Sequence, residues 1–221
     1  MTSEPTRFGH LTGGRLVVAL VLVAVLLVTG GFVAGRLAAP TQSFPSTTSA
    51  AAGFARDMQA HHLQAVQMAM IIRESSPDED IRRLAYDIAT SQAQQAGQMY
   101  GWLEVWGLPQ ASREPAMTWM LLPAIDGSGH EHIESSHEPG EPMPGMATEE
   151  QLDELESLDG VPAERLFLKL MIEHHRGGVE MAEALLSRST NEQAVSLAAS
   201  IAKAQASEIT YMEQLLAERA G

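Results

Sequence analysis

Histidine occurs twice as an adjacent pair, His61-His62 and His174-His175, and both pairs stand in the same frame. A methionine lies three residues before each pair and another six after it: Met58 and Met68, Met171 and Met181. Neutral imidazole and thioether are ligands for copper, and the thioether favours Cu(I) in particular. The chain has 221 residues, 12 Met, 8 His and no Cys. Disulfides, thiolate nucleophiles, Cys-type zinc sites and iron–sulfur clusters are therefore excluded. In an oxidising, outward-facing compartment a Met/His site also avoids disulfide formation.

Met58, His61, His62 and Met68 form one candidate ligand set, and Met171, His174, His175 and Met181 the other. A third group lies between them, where His137, Met143 and Met146 could close a site or hold an exposed one. Two other chemistries fit poorly. A di-iron centre in a helical bundle wants four inward carboxylates and paired Glu-x-x-His motifs. Here Glu134 and His137 have that spacing outside the helices, and Glu208 is the inward carboxylate on them. No serine sits in a nucleophile-turn motif. The chain is expected not to be an enzyme.

The elements that must position the pairs come from a duplication. The segment FARDMQAHHLQAVQMA from Phe54 recurs as FLKLMIEHHRGGVEMA from Phe167, and residues 54–103 match 167–216 without a gap at about 17 of 50 positions. Each copy reads as two helices. In the first, Phe54, Met58, His61, His62, Ala65, Met68, Ala69 and Ile72 share one face at the helical period. Ser75-Ser76-Pro77-Asp78 ends that helix, with Ser76 or Asp78 able to cap the next. The second runs through Ile81, Leu84, Ile88, Gln92, Gln95, Met99 and Leu103 to Gly107. One hairpin buries only one face, so the two must pack together. An antiparallel, ferritin-like four-helix bundle built from two repeated hairpins is expected.

Adjacent histidines point about 100° apart and straddle the stripe. Ala65 and its counterpart Gly178 are small, which suggests space beside the imidazoles. Gln92 and Gln95, and in the second copy Gln205 and Glu208, come to the height of the pairs. Inward polar groups there need partners, so these four are expected to back the histidines. The competing reading is structural: histidines satisfied within the core, methionines filling gaps, and a hairpin duplicated together with its packing.

Residues 1–15 form a short N-terminus and 16–36 an apolar run. About 20 residues of helix reach across a hydrocarbon core, and the flanking Ala38-Ala39-Pro40 makes a poor cleavage site. An uncleaved single-pass anchor is favoured over a removed signal. Arg7 and Arg15 before the run, against Arg36 after it, place the N-terminus inside and the rest on the extracytoplasmic side. Residues 37–52 read as a flexible tether, 53–107 as the first hairpin, 108–147 as a Pro/Gly/Met/His connector, and 148–221 as a short helix plus the second hairpin. Thr148 and Gln151 are spaced as a capping box. The whole chain carries net charge -14, and beyond residue 36 there remain 11 basic and 27 acidic residues, or -16. That balance argues against nucleic acid as a partner.

At the His-His repeats the chain resembles the family called domain of unknown function 305. The residues that carry the likeness are FARDMQAHHLQAVQMA, SQAQQAGQMYGWLEVWG, MPGMATEEQLDEL and FLKLMIEHHRGGVEMAEAL. The resemblance implies an exported or membrane-tethered helical protein. Some members are associated with copper binding and tolerance through Met and His. It points to Met58, His61, His62, Met68, Met171, His174, His175 and Met181, with Met143 and Met146. In one departure, Gln95 stands where the second copy has Glu208 and where the family tends to carry an acid, so weaker binding is expected in the first half. The sequence thus suggests a membrane-anchored copper-binding protein acting in buffering, delivery or tolerance. The alternative is a non-catalytic interaction module docking on a membrane protein.

Overall fold

The computed structural model describes residues 13–38, 44–127 and 139–219. It divides into two compact units, Met1–Ser43 and Phe44–Gly221. The described part of the first unit is one helix, α1 (Gly13–Ala38), with no buried residue. Its length and composition suffice to cross a membrane.

Among its described residues the second unit has helices and no strand: α2 (Ala50–Ser75), α3 (Glu79–Val105), α4 (Glu149–Ser157), α5 (Gly160–Leu186) and α6 (Glu192–Glu218). A turn of 3-10 helix, Thr118–Leu121, lies between α3 and α4. α2 packs on α3 and α5 on α6, and the two hairpins meet through α2 and α5. This is the expected four-helix bundle. The duplication extends to its caps. Asp78 Oδ1 accepts from the N–H groups of Asp80 and Ile81, and Asn191 Oδ1 accepts from Ala194. One step earlier, Ser76 and Ser189 each accept the N–H of their cap residue at 3.1 Å. The Thr148–Gln151 capping box opens α4.

Two apolar clusters fill the core. One joins the C-terminal half of α2 (Met68, Ile72) to the start of α3, to α4, and to Phe167, Leu168 and Met171 of α5. The other joins the start of α2 (Phe54, Met58) to the end of α3, to Met181 and Leu185 of α5, and to the start of α6. Opposite ends of α2 and α5 share each cluster, so these helices run antiparallel. The four histidines fall between the clusters.

One stretch differs from expectation. The tether was expected to run to residue 52, yet Ala50, Ala51 and Ala52 are buried. Ser49 caps α2 by accepting from Ala52, and Arg56 reaches back with Nη1 to the Thr47 carbonyl at 2.9 Å. Small side chains let this stretch join the core instead of trailing free of it. The described part of the connector is built onto the bundle. Trp119 packs edge-on against Phe54 with centroids 5.8 Å apart. Asp57 Oδ2 accepts from Trp119 Nε1 at 2.9 Å and from the Met117 N–H at 2.7 Å. Gly53 makes room, because a Cβ there would lie 2.5 Å from the Trp119 side chain.

Candidate metal centre

The two histidine pairs face each other at the middle of the bundle because α2 and α5 cross there. All four rings are fully buried. His61 and His174 stack with centroids 3.8 Å apart, and His62 and His175 flank them at 6.4 and 6.3 Å from their neighbours.

Each Nε2 has a partner. His61 donates to the Pro144 carbonyl at 3.0 Å and His174 to the His61 carbonyl at 2.9 Å. His62 donates to Gln95 Oε1 and His175 to Glu208 Oε2, both at 2.7 Å. Carbonyls and carboxylates only accept, and a neutral imidazole has one N–H. In a neutral ring the proton therefore sits on Nε2, and Nδ1 carries a lone pair. All four Nδ1 atoms are buried without a hydrogen-bond partner among the described residues. A buried acceptor left unpaired costs about 1–3 kcal/mol, and all four are gathered in one layer.

Burial favours the neutral form of His61, His62 and His174. It pushes His61 down to about 4 and, with the neighbouring His61, His62 down to about 3. His174 is held well below its ordinary value by burial and by the other three rings. Neutral imidazoles whose second nitrogen donates to a carbonyl or carboxylate are the usual form of metal-binding histidine.

The methionines regroup. Ten residues of helix separate Met58 from Met68 by about 15 Å, and the pair lies in different apolar clusters, as do Met171 and Met181. The four-residue sets expected along single helices are thus not brought together. Met58 and Met181 share one side of the histidine layer, Met68 and Met171 the other. Among the described residues, no three His, Cys, Asp or Glu side chains converge as a ready metal cluster. A soft ion would need imidazole and thioether ligands together, and the donor set fits that chemistry.

Of the four expected backing residues, Gln95 and Glu208 hold histidines while Gln92 and Gln205 do not. Both of the latter are buried with oxygen and nitrogen unpartnered among the described residues. The space expected beside Gly178 is taken up by Gln205, whose Oε1 lies 2.3 Å from where a Cβ would stand. Met143 packs against the cluster that holds Met58, and Met146 is half-buried. His137 and Glu134 lie outside the described residues. The residues that side-chain patterns missed are backbone ones. The segment 143–147 straps the layer, with Gln64 bonded twice to Ala147 at 2.8 and 2.9 Å. Gly145 and Gly177 permit the close approach: a Cβ on Gly177 would stand 2.0 Å from the Pro144 oxygen. The Pro-Gly inside MPGM was the available signal.

Fold and site together define a helical bundle with a buried histidine layer flanked by methionine. The chain belongs to the family described as Domain of unknown function (DUF305), whose profile matches residues 51–216. A DUF305 protein from Streptomyces coelicolor, described as secreted, is 48% identical with TM-score 0.69, over 80% of this chain and 97% of that one. A DUF305 fragment from Deinococcus radiodurans is 32% identical with TM-score 0.57, over 75% and 93%. CopM in its Cu(I)-bound form shares the fold at 22% identity and TM-score 0.56, over 76% and 96%. Among curated proteins none matches.

Proposed function

We propose that this chain is a membrane-anchored, extracytoplasmic protein that binds copper and serves in its buffering, delivery or tolerance, without catalysing a reaction. The observation that carries the reading is the layer of four buried Nδ1 lone pairs, each fixed by an Nε2 hydrogen bond, between methionines. The anchor rests on the exposed apolar helix α1 and on the arginines around it. The ligands would be the Nδ1 atoms of the two pairs, with thioethers from Met58 and Met181 on one side and Met68 and Met171 on the other. Cu(I) would add a soft Lewis acid to these donors. The reading agrees with the Cu(I)- and Cu(II)-bound forms of CopM, a protein of the same fold.

The 3.8 Å stacking of His61 on His174 favours a second reading, in which the layer is packing and the bundle docks on a membrane protein. A Cu(I) competition titration against a chromophoric chelator, on the full chain in detergent micelles, separates the two. Uptake that disappears in the His174→Ala/His175→Ala variant supports the metal reading. Equal uptake in both proteins, with the variant only less stable, overturns it.

A further inference from the structure

The outer histidines of the layer, His62 and His175, sit in matching frames that differ at one chemical point. His62 and His175 each donate Nε2–H over 2.7 Å to a residue 33 positions onward, but the acceptor is an amide on Gln95 and a carboxylate on Glu208. A carboxylate acceptor draws the Nε2 proton and leaves Nδ1 a stronger donor, while its charge lies close to an incoming cation. An amide does neither. Glu208 has a second face as well. Its side chain is 30% exposed while that of His175 is fully buried, and it lines an open cleft of about 290 Å³ between α3 and α6, with Asp80, Asp87, Arg83 and Tyr211. One carboxylate therefore touches both the solvent and a buried imidazole whose other nitrogen has no partner among the described residues.

We propose that Glu208 makes the two halves unequal: a soft monovalent cation is captured first at the His175 half, arriving by the cleft, and the His62 half fills second. This rests on the metal-binding reading above. Gln95 and Glu208 are positioning residues that set loading order through the imidazoles they hold, and are not themselves ligands. Loss of a carboxylate behind a ligating histidine lowers affinity about 10- to 100-fold, which is enough to separate two filling events.

The test uses the full chain, labelled with 15N-histidine, in detergent micelles and titrated with silver(I) nitrate. Each imidazole is followed through its Nδ1 and Nε2 resonances. The expected result is that His175 Nδ1 shifts during the first equivalent and His62 Nδ1 during the second. In Glu208→Gln the two should shift together, and in the exchanged protein, Gln95→Glu/Glu208→Gln, the order should reverse. Metal-free signals of His61 and His174 report whether the core is intact, and Glu208→Gln alone carries the test if the exchanged protein does not fold. An order unchanged by Glu208→Gln, or simultaneous filling in the parent, overturns the proposal while leaving metal binding standing. Silence of every imidazole overturns the metal reading, and the proposal with it.

Discussion

Nε2 of His174 donates to the backbone carbonyl of His61 at 2.9 Å, while the two rings stack at a tilt of 35°. The equivalent bond from His61 does not return to the carbonyl of His174. It goes to Pro144, so the duplication's two-fold symmetry is broken at its centre by a strap from outside both hairpins. Two imidazoles in such contact tolerate no charge, which leads to the first prediction.

Acid should destabilise the metal-free chain well above the range where carboxylates titrate. His61 and His62 are pushed down to about 4 and about 3, from 6.5. The unfolded chain therefore binds more protons across that interval, and stability falls as pH drops from 6.5. Each such histidine contributes about 1.4 kcal/mol per pH unit until its folded value is reached. Denaturant titrations at pH 7.5, 5.5 and 4.5 measure the slope, and a flat profile between the first two contradicts the buried neutral layer.

Neighbouring glycines should differ sharply. A Cβ at Gly177 would meet the Pro144 backbone at 2.0 Å, whereas one at Gly178 would meet the end of the Gln205 side chain at 2.3 Å. Gly177→Ala must displace the strap and break the His61 bond, at a cost of about 1–3 kcal/mol. Gly178→Ala asks only a side chain to turn. Thermal denaturation of the two variants gives the comparison, and an equal loss in both contradicts the strap's role.

Arg219 holds the far end of the bundle. Its Nε donates to Glu164 Oε2 at 2.6 Å and its Nη2 pairs with Asp78 at 2.8 Å, while Glu164 Oε1 accepts from Ser76. Glu164 is 2% exposed, so Arg219→Ala strands a buried carboxylate. The expected loss is about 3–5 kcal/mol. The double variant Glu164→Gln/Arg219→Ala should recover part of it, and no recovery would assign the loss to packing instead.

Asp57 joins the connector to α2 through two hydrogen bonds to one oxygen. Asp57→Ala should cost about 3 kcal/mol, since two bonds to a charged acceptor contribute about 1.5–3 kcal/mol each and the partial exposure of Asp57 holds the sum to its lower end. Tryptophan emission should move to the red as Trp119 leaves its place beside Phe54. Loss of stability with unmoved emission would place the effect elsewhere.

The helices, their pairing and the inward histidines were legible because side-chain periodicity and an ungapped repeat both survive in the sequence. Gln95 and Glu208 were legible for the same reason, since one helical face carries them to the height of the pairs. Gln92 and Gln205 share that face but do not reach an Nε2. The failures share a cause. Treating Met58 and Met68 as one set ignored the rise of the helix, which carries them into opposite clusters. Residues 50–52 read as tether, and the connector offered no element before Thr148, because small residues, Pro and Gly leave no period. What holds the described parts are contacts such as Arg56 to Thr47 and Pro109, and two acceptors of the layer are main-chain carbonyls. No substitution pattern displays those.

The carbonyl of Pro144 has a consequence for how information crosses this molecule. It belongs to a segment 83 residues from the imidazole it engages, in a stretch at the bundle's surface on either side of a buried proline. A carbonyl cannot be altered by exchanging its side chain. The His61 tautomer is therefore governed by where the strap lies and not by which residues it carries. Lifting residues 143–147 away would free His61 Nε2, let the proton move to Nδ1, and convert a lone pair into a donor. A hand laid on the outside of the bundle would in this way turn a nitrogen at its centre.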